Sequence, residues 1–139
     1  MKVLIEGGGF PAFWYNYGYG YKLLKHIKNK NKNIDLTPTM FVGYSAGALV
    51  STILVFDKIE MDNIIKLTNE ILNDYSNRNI GFGFLGRLIR YMFNNILPED
   101  AHIISKNKLG IILCDPKNDN KCKLVTNWNS KDDLINCLI

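Results

Sequence analysis

Short apolar runs alternate along this chain with longer segments in which apolar residues recur every three or four positions. Short runs between turn residues predict buried strands, whereas the wider spacing predicts amphipathic helices. The pattern predicts four strands, over residues 2–6, a segment ending at 43, 109–114 and 123–127. Because strands and helices alternate over most of the chain, we predict an α/β fold, with three α/β/α layers and a mostly parallel sheet.

Six segments have helical spacing or helix start signals. The first is predicted to follow an aromatic-rich stretch, residues 13–20, whose rings mainly provide packing. The polar segment 28–33 then predicts a solvated loop. Further helices are predicted over residues 46–56 and 61–75, after Gly86, after Pro98 and after Ser130. Asp133 follows Ser130 by three residues and completes an acidic variant of the capping box.

The helix after Gly86 is amphipathic, with Arg87 and Arg90 on its polar side. Its apolar side consists of Phe84, Leu85, Leu88, Ile89, Met92 and Phe93. Two interpretations remain open at this point. This side packs against the core, or it forms a lid or a surface that contacts a membrane.

The length of 139 residues suits a single domain that spans residues 1–139, and a hydrophobic content of 47% is ample for its core. The net charge of +4 is mild, and much of the excess lies in residues 22–32. We therefore expect no nucleic-acid partner. The spacing of cysteine and histidine predicts no metal site, and we expect no cofactor. The oligomeric state stays open.

The three cysteines, Cys114, Cys122 and Cys137, are odd in number and widely spaced. We therefore expect reduced thiols in an intracellular protein rather than a disulfide framework. Glu6 and the glycines after it interrupt the first apolar run, so no signal peptide is predicted. The longest apolar stretch, residues 46–56, is shorter than the roughly 20 residues that cross a bilayer. The expected location is cytoplasmic or peripheral to a membrane.

A serine between two glycines follows the second strand, in the segment Gly43-Tyr44-Ser45-Ala46-Gly47. This is the G-x-S-x-G pattern of a nucleophile elbow, a tight strand-to-helix turn that exposes the serine hydroxyl. Glycine on both sides of the turn removes steric clashes, and the helix that follows points its positive end at developing negative charge. We predict that Ser45 is a nucleophile. A plain Gly-Ser turn is the alternative.

A second glycine segment, Gly7-Gly8-Gly9, follows the first strand and precedes a helix. Gly7, Gly9 and Ala12 satisfy the dinucleotide fingerprint, which also requires an acidic residue at the end of the second strand. That strand ends in Gly43 instead. The favoured interpretation is an oxyanion hole, in which the loop amides face Ser45, because both motifs end neighbouring parallel strands. A structural glycine turn is the third possibility.

A serine nucleophile needs a neighbouring base to take its proton. The two histidines, His26 and His102, are more simply explained as surface or partly packed side chains. An α/β-hydrolase triad runs in the order serine, acid, histidine, with the histidine late in the chain. No residue after His102 fits that role, and only one strand precedes the serine strand. The sequence therefore argues against an α/β-hydrolase.

The glycine loop, the serine motif and the short interval between them resemble the patatin-like phospholipases. Segments 97–102, 124–126 and 130–135 resemble the branch of that family that contains adipose triglyceride lipase and adiponutrin. The resemblance implies a patatin-like fold and a Ser–Asp dyad without histidine. It implies Ser45 as the nucleophile, Gly7, Gly8 and Gly9 as the oxyanion hole, and assistance from the amide of Ala46. It also implies hydrolysis of lipid acyl esters at a membrane or lipid-droplet surface, without a metal.

Two departures from the family pattern stand out. Ala12 replaces a glycine that closes the family's loop, and the sequence contains no Asp-Gly, the dipeptide that carries the dyad aspartate in the family. The resemblance therefore implies a domain that is incomplete at its C-terminal end, and we expect this chain alone to be weakly active or inactive. The alternatives are a non-catalytic module that binds lipid surfaces through residues 84–93, and a nucleotide-binding module that uses residues 7–12.

Overall fold

A computed structural model of the chain describes residues 2–30, 39–56, 59–76, 83–115 and 121–139. These residues form four strands and six helices. In chain order the elements are β1 (Lys2–Ile5), α1 (Gly9–Lys30), β2 (Met40–Gly43), α2 (Ala46–Val55), α3 (Met61–Ser76), α4 (Phe84–Ile96), α5 (Ala101–Ile104), β3 (Leu109–Asp115), β4 (Lys121–Val125) and α6 (Lys131–Asn136).

The strands form one sheet in the order β1-β2-β3-β4. β1 pairs with β2 and β2 pairs with β3 in parallel, whereas β3 and β4 are antiparallel. The predicted α/β class and the mostly parallel sheet are confirmed. Ile5 at the end of β1 lies level with Gly43 at the end of β2. The segments that follow these two strands therefore begin at the same end of the sheet.

The described helices cover one face of the sheet. Both parallel connections step in the same direction across the sheet, and right-handed connections then put their helices on the same side. α1 packs against α2, and α2 packs on the first three strands. Phe41, Leu109 and Ile111 are buried beneath these helices. The third layer included in the predicted architecture is not present among the described residues.

The opposite face of the sheet carries apolar side chains at the alternate strand positions. Leu4 and Leu124 are 59% and 49% exposed at the two edges of this face. Val42, between them, is buried. A Cβ added at Gly110 would lie 2.9 Å from a methyl carbon of Leu124 and 3.2 Å from one of Val42, so these side chains share this face.

The first helix begins earlier than the sequence predicts. α1 starts at Gly9, so the aromatic stretch 13–20 belongs to the helix. Phe13 and Tyr17, one turn apart, are buried, whereas Tyr15 and Tyr19 are 73% and 62% exposed. Helical spacing thus divides the rings between packing and surface. α1 also runs to Lys30, so the loop predicted over 28–33 is wrong for its first half, and its second half lies outside the described residues.

The amphipathic helix α4 packs its apolar side into the core. Leu88, Ile89, Met92 and Phe93 are all buried. Core packing, the first of the two interpretations of this side, is therefore correct. Leu85 alone of the large aliphatic residues on that side is strongly exposed, at 56%. A lid or membrane-contact surface made from this side would have to be pulled out of the core.

The predicted cap of the last helix is present. The Ser130 hydroxyl accepts a hydrogen bond from the amide of Asp133 at 3.0 Å. The Asp133 carboxylate in turn accepts from the amide of Asn129 at 2.9 Å. Ser130 therefore caps the start of α6 much as in a capping box. The difference is that the Asp133 carboxylate accepts from the amide of Asn129, the residue before the cap, and not from the amide of Ser130 itself. Leu134 and Ile135 on this helix are fully buried.

The cysteines differ from the sequence prediction. Cys114 on β3 and Cys122 on β4 form a disulfide, and only Cys137 is a free thiol. The prediction of reduced thiols is wrong for this pair. The two cysteines lie eight positions apart in sequence, but the antiparallel pairing places them directly opposite each other. The expectation of an intracellular location loses the support that it drew from reduced cysteines.

Candidate active site

Ser45 lies in the turn between β2 and α2, with an unusual backbone conformation. Its φ of 51° and ψ of −133° fall in a region that L-residues other than glycine rarely occupy. Such a conformation costs about 1–3 kcal/mol, and persists only where the surroundings impose it. Ser45 precedes the first residue of α2, but its side chain makes no capping hydrogen bond. The residue is exposed, so its hydroxyl is open to a ligand.

Close main-chain packing on both sides of Ser45 imposes this turn. A Cβ added at Gly43 would stand 2.3 Å from the carbonyl oxygen of Gly47. A Cβ added at Gly47 would stand 2.1 Å from the carbonyl oxygen of Ile5. No side chain fits at either position, so both glycines of the G-x-S-x-G segment are sterically required. The turn itself closes with hydrogen bonds from the amides of Gly47 and Ala48 to the carbonyls of Tyr44 and Ser45, both 2.9 Å long.

The glycine loop after β1 lies beside Ser45. A Cβ added at Gly7 would stand 3.1 Å from the Cβ of Ser45 and 2.9 Å from the ring of Tyr44. Gly8 and Gly9 both have positive φ, at 151° and 70°, and both are exposed. The structure therefore brings together all the residues that the sequence assigns to the site. They are Gly7, Gly8, Gly9, Gly43, Tyr44, Ser45, Ala46 and Gly47.

One contact that holds the loop was not predicted. The side-chain amide of Asn16, on the second turn of α1, donates a 3.0 Å hydrogen bond to the carbonyl oxygen of Glu6. Glu6 is the residue between β1 and the glycine loop, so Asn16 ties the loop back onto the helix that follows it. No sequence signal marks this role. The prediction that α1 begins only after Gly20 placed Asn16 outside any helix.

The N-termini of two helices lie at the end of the sheet where β1 and β2 finish. α1 begins at Gly9 and α2 at Ala46, immediately beside Ser45. The first amides of a helix lack intrahelical acceptors, and the helix dipole adds partial positive charge there. Neither helix carries an acidic residue in its first turn. The surroundings of Ser45 therefore favour a negative charge at or next to its hydroxyl.

Besides the two histidines, Asp115 at the end of strand β3 is a side chain to consider as a base, and none of the three lies beside Ser45. His102 lies on α5, which leads into the start of β3, at the edge of the sheet opposite to Ser45. His26 lies near the distant end of α1. Asp115 ends β3 at the same end of the sheet as Ser45. It lies, however, four residues beyond Ile111, the β3 residue that is level with Gly43. At about 3.3 Å per residue, Asp115 stands roughly 13 Å beyond the end of β2.

The described residues contain no cluster of three histidine, cysteine, aspartate or glutamate side chains that could hold a metal ion. Over the same part of the chain, every helix is either too short or too polar to cross a bilayer. The dinucleotide fingerprint lacks its acidic partner, since β2 ends at Gly43 and continues into Tyr44 and Ser45. The geometry at this edge is thus that of an exposed serine beside a glycine loop.

No protein-family model, curated protein or solved structure matches this chain.

Proposed function

We propose that this chain carries the nucleophile and the oxyanion hole of a serine lipid acyl hydrolase of the patatin-like type. The single observation that carries the proposal is the backbone of Ser45, with φ of 51° and ψ of −133° at a strand-to-helix turn. Strain of this kind is typical of functional sites, and the nucleophile elbow uses it to lift a serine hydroxyl above a sheet. A plain Gly-Ser turn has no need of it.

In the proposed reaction, Ser45 Oγ attacks the carbonyl carbon of an acyl ester. The carbonyl oxygen becomes an oxyanion, which accepts hydrogen bonds from the amides of Gly8, Gly9 and Ala46. The alcohol then leaves with the serine proton, and water hydrolyses the acyl-serine. The two helix N-termini at this edge stabilise the oxyanion further.

The base is the missing group in this scheme. In the described part of the chain the Ser45 hydroxyl has no hydrogen-bonding partner that could take its proton. The resemblance to patatin-like enzymes assigns that role to an aspartate in an Asp-Gly dipeptide, and the sequence contains none. We therefore propose that the 139-residue chain alone turns over esters slowly, and that its rate is limited by deprotonation of Ser45.

A small external base tests this proposal, because Ser45 is exposed and a small molecule can reach its hydroxyl. The initial rate of p-nitrophenyl butyrate hydrolysis is measured against imidazole concentration for wild type and for Ser45→Ala. We expect imidazole to raise the wild-type rate about tenfold more than that of Ser45→Ala, since general bases contribute large factors. Equal rates for the two proteins at every imidazole concentration would contradict the proposal.

The second candidate, a lipid-surface module built on residues 84–93, is not favoured by any observation. Its side chains at Leu88, Ile89, Met92 and Phe93 are buried in the core. A nucleotide-binding module is likewise disfavoured by the missing acidic residue at the end of β2.

A further inference from the structure

β1 forms one edge of the sheet, so one side of its main chain has no strand partner among the described residues. An unpaired edge is a template for pairing with another chain, and proteins usually cover it or protect it with charged side chains. Leu4, in the middle of β1, is 59% exposed. The side chain at the centre of this strand is therefore apolar and exposed, and no described residue pairs with the main chain on the outer side of β1.

The sequence of this edge is self-complementary in charge. Lys2, Leu4 and Glu6 alternate along the strand direction, so their side chains lie on the same face. When two copies pair antiparallel about Leu4, Lys2 of each copy stands directly opposite Glu6 of the other, and Leu4 stands opposite Leu4. Opposite charges across an antiparallel pair are attractive, and apolar pairs bury area. A shift of the register by two residues would lose both charge pairs.

A groove beside the edge fits the other side chains of an added strand. The groove lies between β1 and α1, has a volume of about 420 Å³ and is lined in part by Val3, Ile5, Tyr15 and Tyr19. Val3 and Ile5 point to this side of the sheet, since they alternate with Leu4. In the antiparallel register, Val3 and Ile5 of a second copy would lie over the same groove. The Tyr15 and Tyr19 rings, stacked at 6.5 Å and strongly exposed, form its outer wall.

We propose that a second copy of this chain adds its β1 to this edge, antiparallel and centred on Leu4, to form a two-fold symmetric dimer with one continuous sheet. The interface is isologous, as in most homodimers, because the same strand and groove serve both copies. It covers the apolar groove of each copy at once. It leaves Ser45 free, since that residue lies beyond the end of the neighbouring strand β2.

Charge exchange tests this pairing directly. Lys2→Glu alone sets Glu against Glu at both ends of the pair, and Glu6→Lys alone sets Lys against Lys. Each single variant is expected to weaken dimerisation by about tenfold or more, since two attractive pairs become repulsive. An equimolar mixture of the two variants restores opposite charges at both ends, so heterodimers are expected with near wild-type affinity. Sedimentation velocity over a concentration series gives these dissociation constants.

A pair of apolar-to-acid variants separates edge pairing from packing between sheet faces. Leu4→Asp places two carboxylates opposite each other at the centre of the dimer and is expected to give monomers. Leu124→Asp is the matched control, because Leu124 has similar exposure on the same face but lies on β4, at the other edge. It is expected to leave dimerisation unchanged. Circular dichroism establishes that each variant is folded.

Three outcomes would overturn the proposal. The first is a monomeric wild type at the highest soluble concentration. The second is a mixture of folded Lys2→Glu and Glu6→Lys variants that does not associate better than each variant alone. The third is a Leu124→Asp variant that dissociates as readily as Leu4→Asp, which would assign the contact to the open sheet face instead of the β1 edge.

Discussion

Gly47 on α2 lies directly against the main chain of Ile5 on β1: a Cβ added at Gly47 would stand 2.1 Å from the Ile5 carbonyl oxygen. This contact brings the helix that follows Ser45 onto the strand that leads into the glycine loop. The two halves of the proposed site are therefore positioned by main-chain packing, which leaves no space for a side chain.

Gly47→Ala should accordingly lower the free energy of unfolding by about 1–3 kcal/mol, the usual cost of forcing extra atoms into a packed site. Chemical denaturation measures the change. Gly18→Ala is the matched control, since the added methyl would meet only the Met61 methyl carbon at 4.0 Å, in ordinary contact. In the middle of α1 it should raise stability by about 0.5–1 kcal/mol. Equal effects of the two substitutions would refute this explanation of Gly47.

Replacing Ser45 by glycine should relieve backbone strain. Ser45→Gly removes the Cβ from a conformation that costs about 1–3 kcal/mol, while the more flexible unfolded chain offsets part of the gain. We expect a net increase in the free energy of unfolding of about 1 kcal/mol. Ser45→Ala keeps the strained Cβ and should not gain it. If Ser45→Ala proves as stable as Ser45→Gly, the turn does not store the strain that its angles indicate.

The disulfide between Cys114 and Cys122 predicts how many thiols the chain exposes and how stable it is. Thiol titration of the denatured, unreduced chain should find only the Cys137 thiol, and reduction should release Cys114 and Cys122. Replacing both paired cysteines by serine should lower the free energy of unfolding by about 2–3 kcal/mol, the chain-entropy value for a short loop. Cys137→Ser serves as the control for loss of a sulfur atom. Three reactive thiols in protein purified without reductant would contradict the disulfide.

The proposed reaction makes no use of the histidines. His102 lies at the opposite edge of the sheet from Ser45, so His102→Ala should leave the imidazole-dependent ester hydrolysis unchanged within about twofold. Asp115→Asn should also be neutral, because Asp115 lies far beyond the end of β2. A loss of rate as large as that of Ser45→Ala in either variant would identify it as the base and revise the scheme.

The sequence was sufficient to predict the elements that build the site. Apolar runs predicted β1 and β2, and the glycines at 7–9, 43 and 47 predicted two tight turns at strand ends. These features are local, because each turn needs particular residues at fixed spacing. The cap at Ser130 was predictable for the same reason, since the hydroxyl and the amide that it accepts from are three residues apart.

The features that escaped prediction depend on contacts between distant segments or on competing preferences. The Cys114–Cys122 disulfide follows from the β3–β4 register, which cysteine spacing does not reveal. α1 starts early and includes Gly18 and Gly20, although glycine has a low helix propensity. Packing explains it: Phe13 and Tyr17 are buried on one face of the helix, and a Cβ at Gly20 would stand 2.8 Å from a Leu54 methyl carbon of α2.

A fluorophosphonate probe tests whether the fold activates Ser45 toward acyl-type electrophiles, as we propose. Peptide mapping by mass spectrometry measures the labelling rate of Ser45 in the folded chain and in the same chain unfolded by urea. We predict that Ser45 reacts about a hundredfold faster when folded, because the loop amides stabilise the charge that develops on the phosphonyl oxygen. Equal rates in the two states, or labelling spread evenly over other exposed serines such as Ser130, would contradict it.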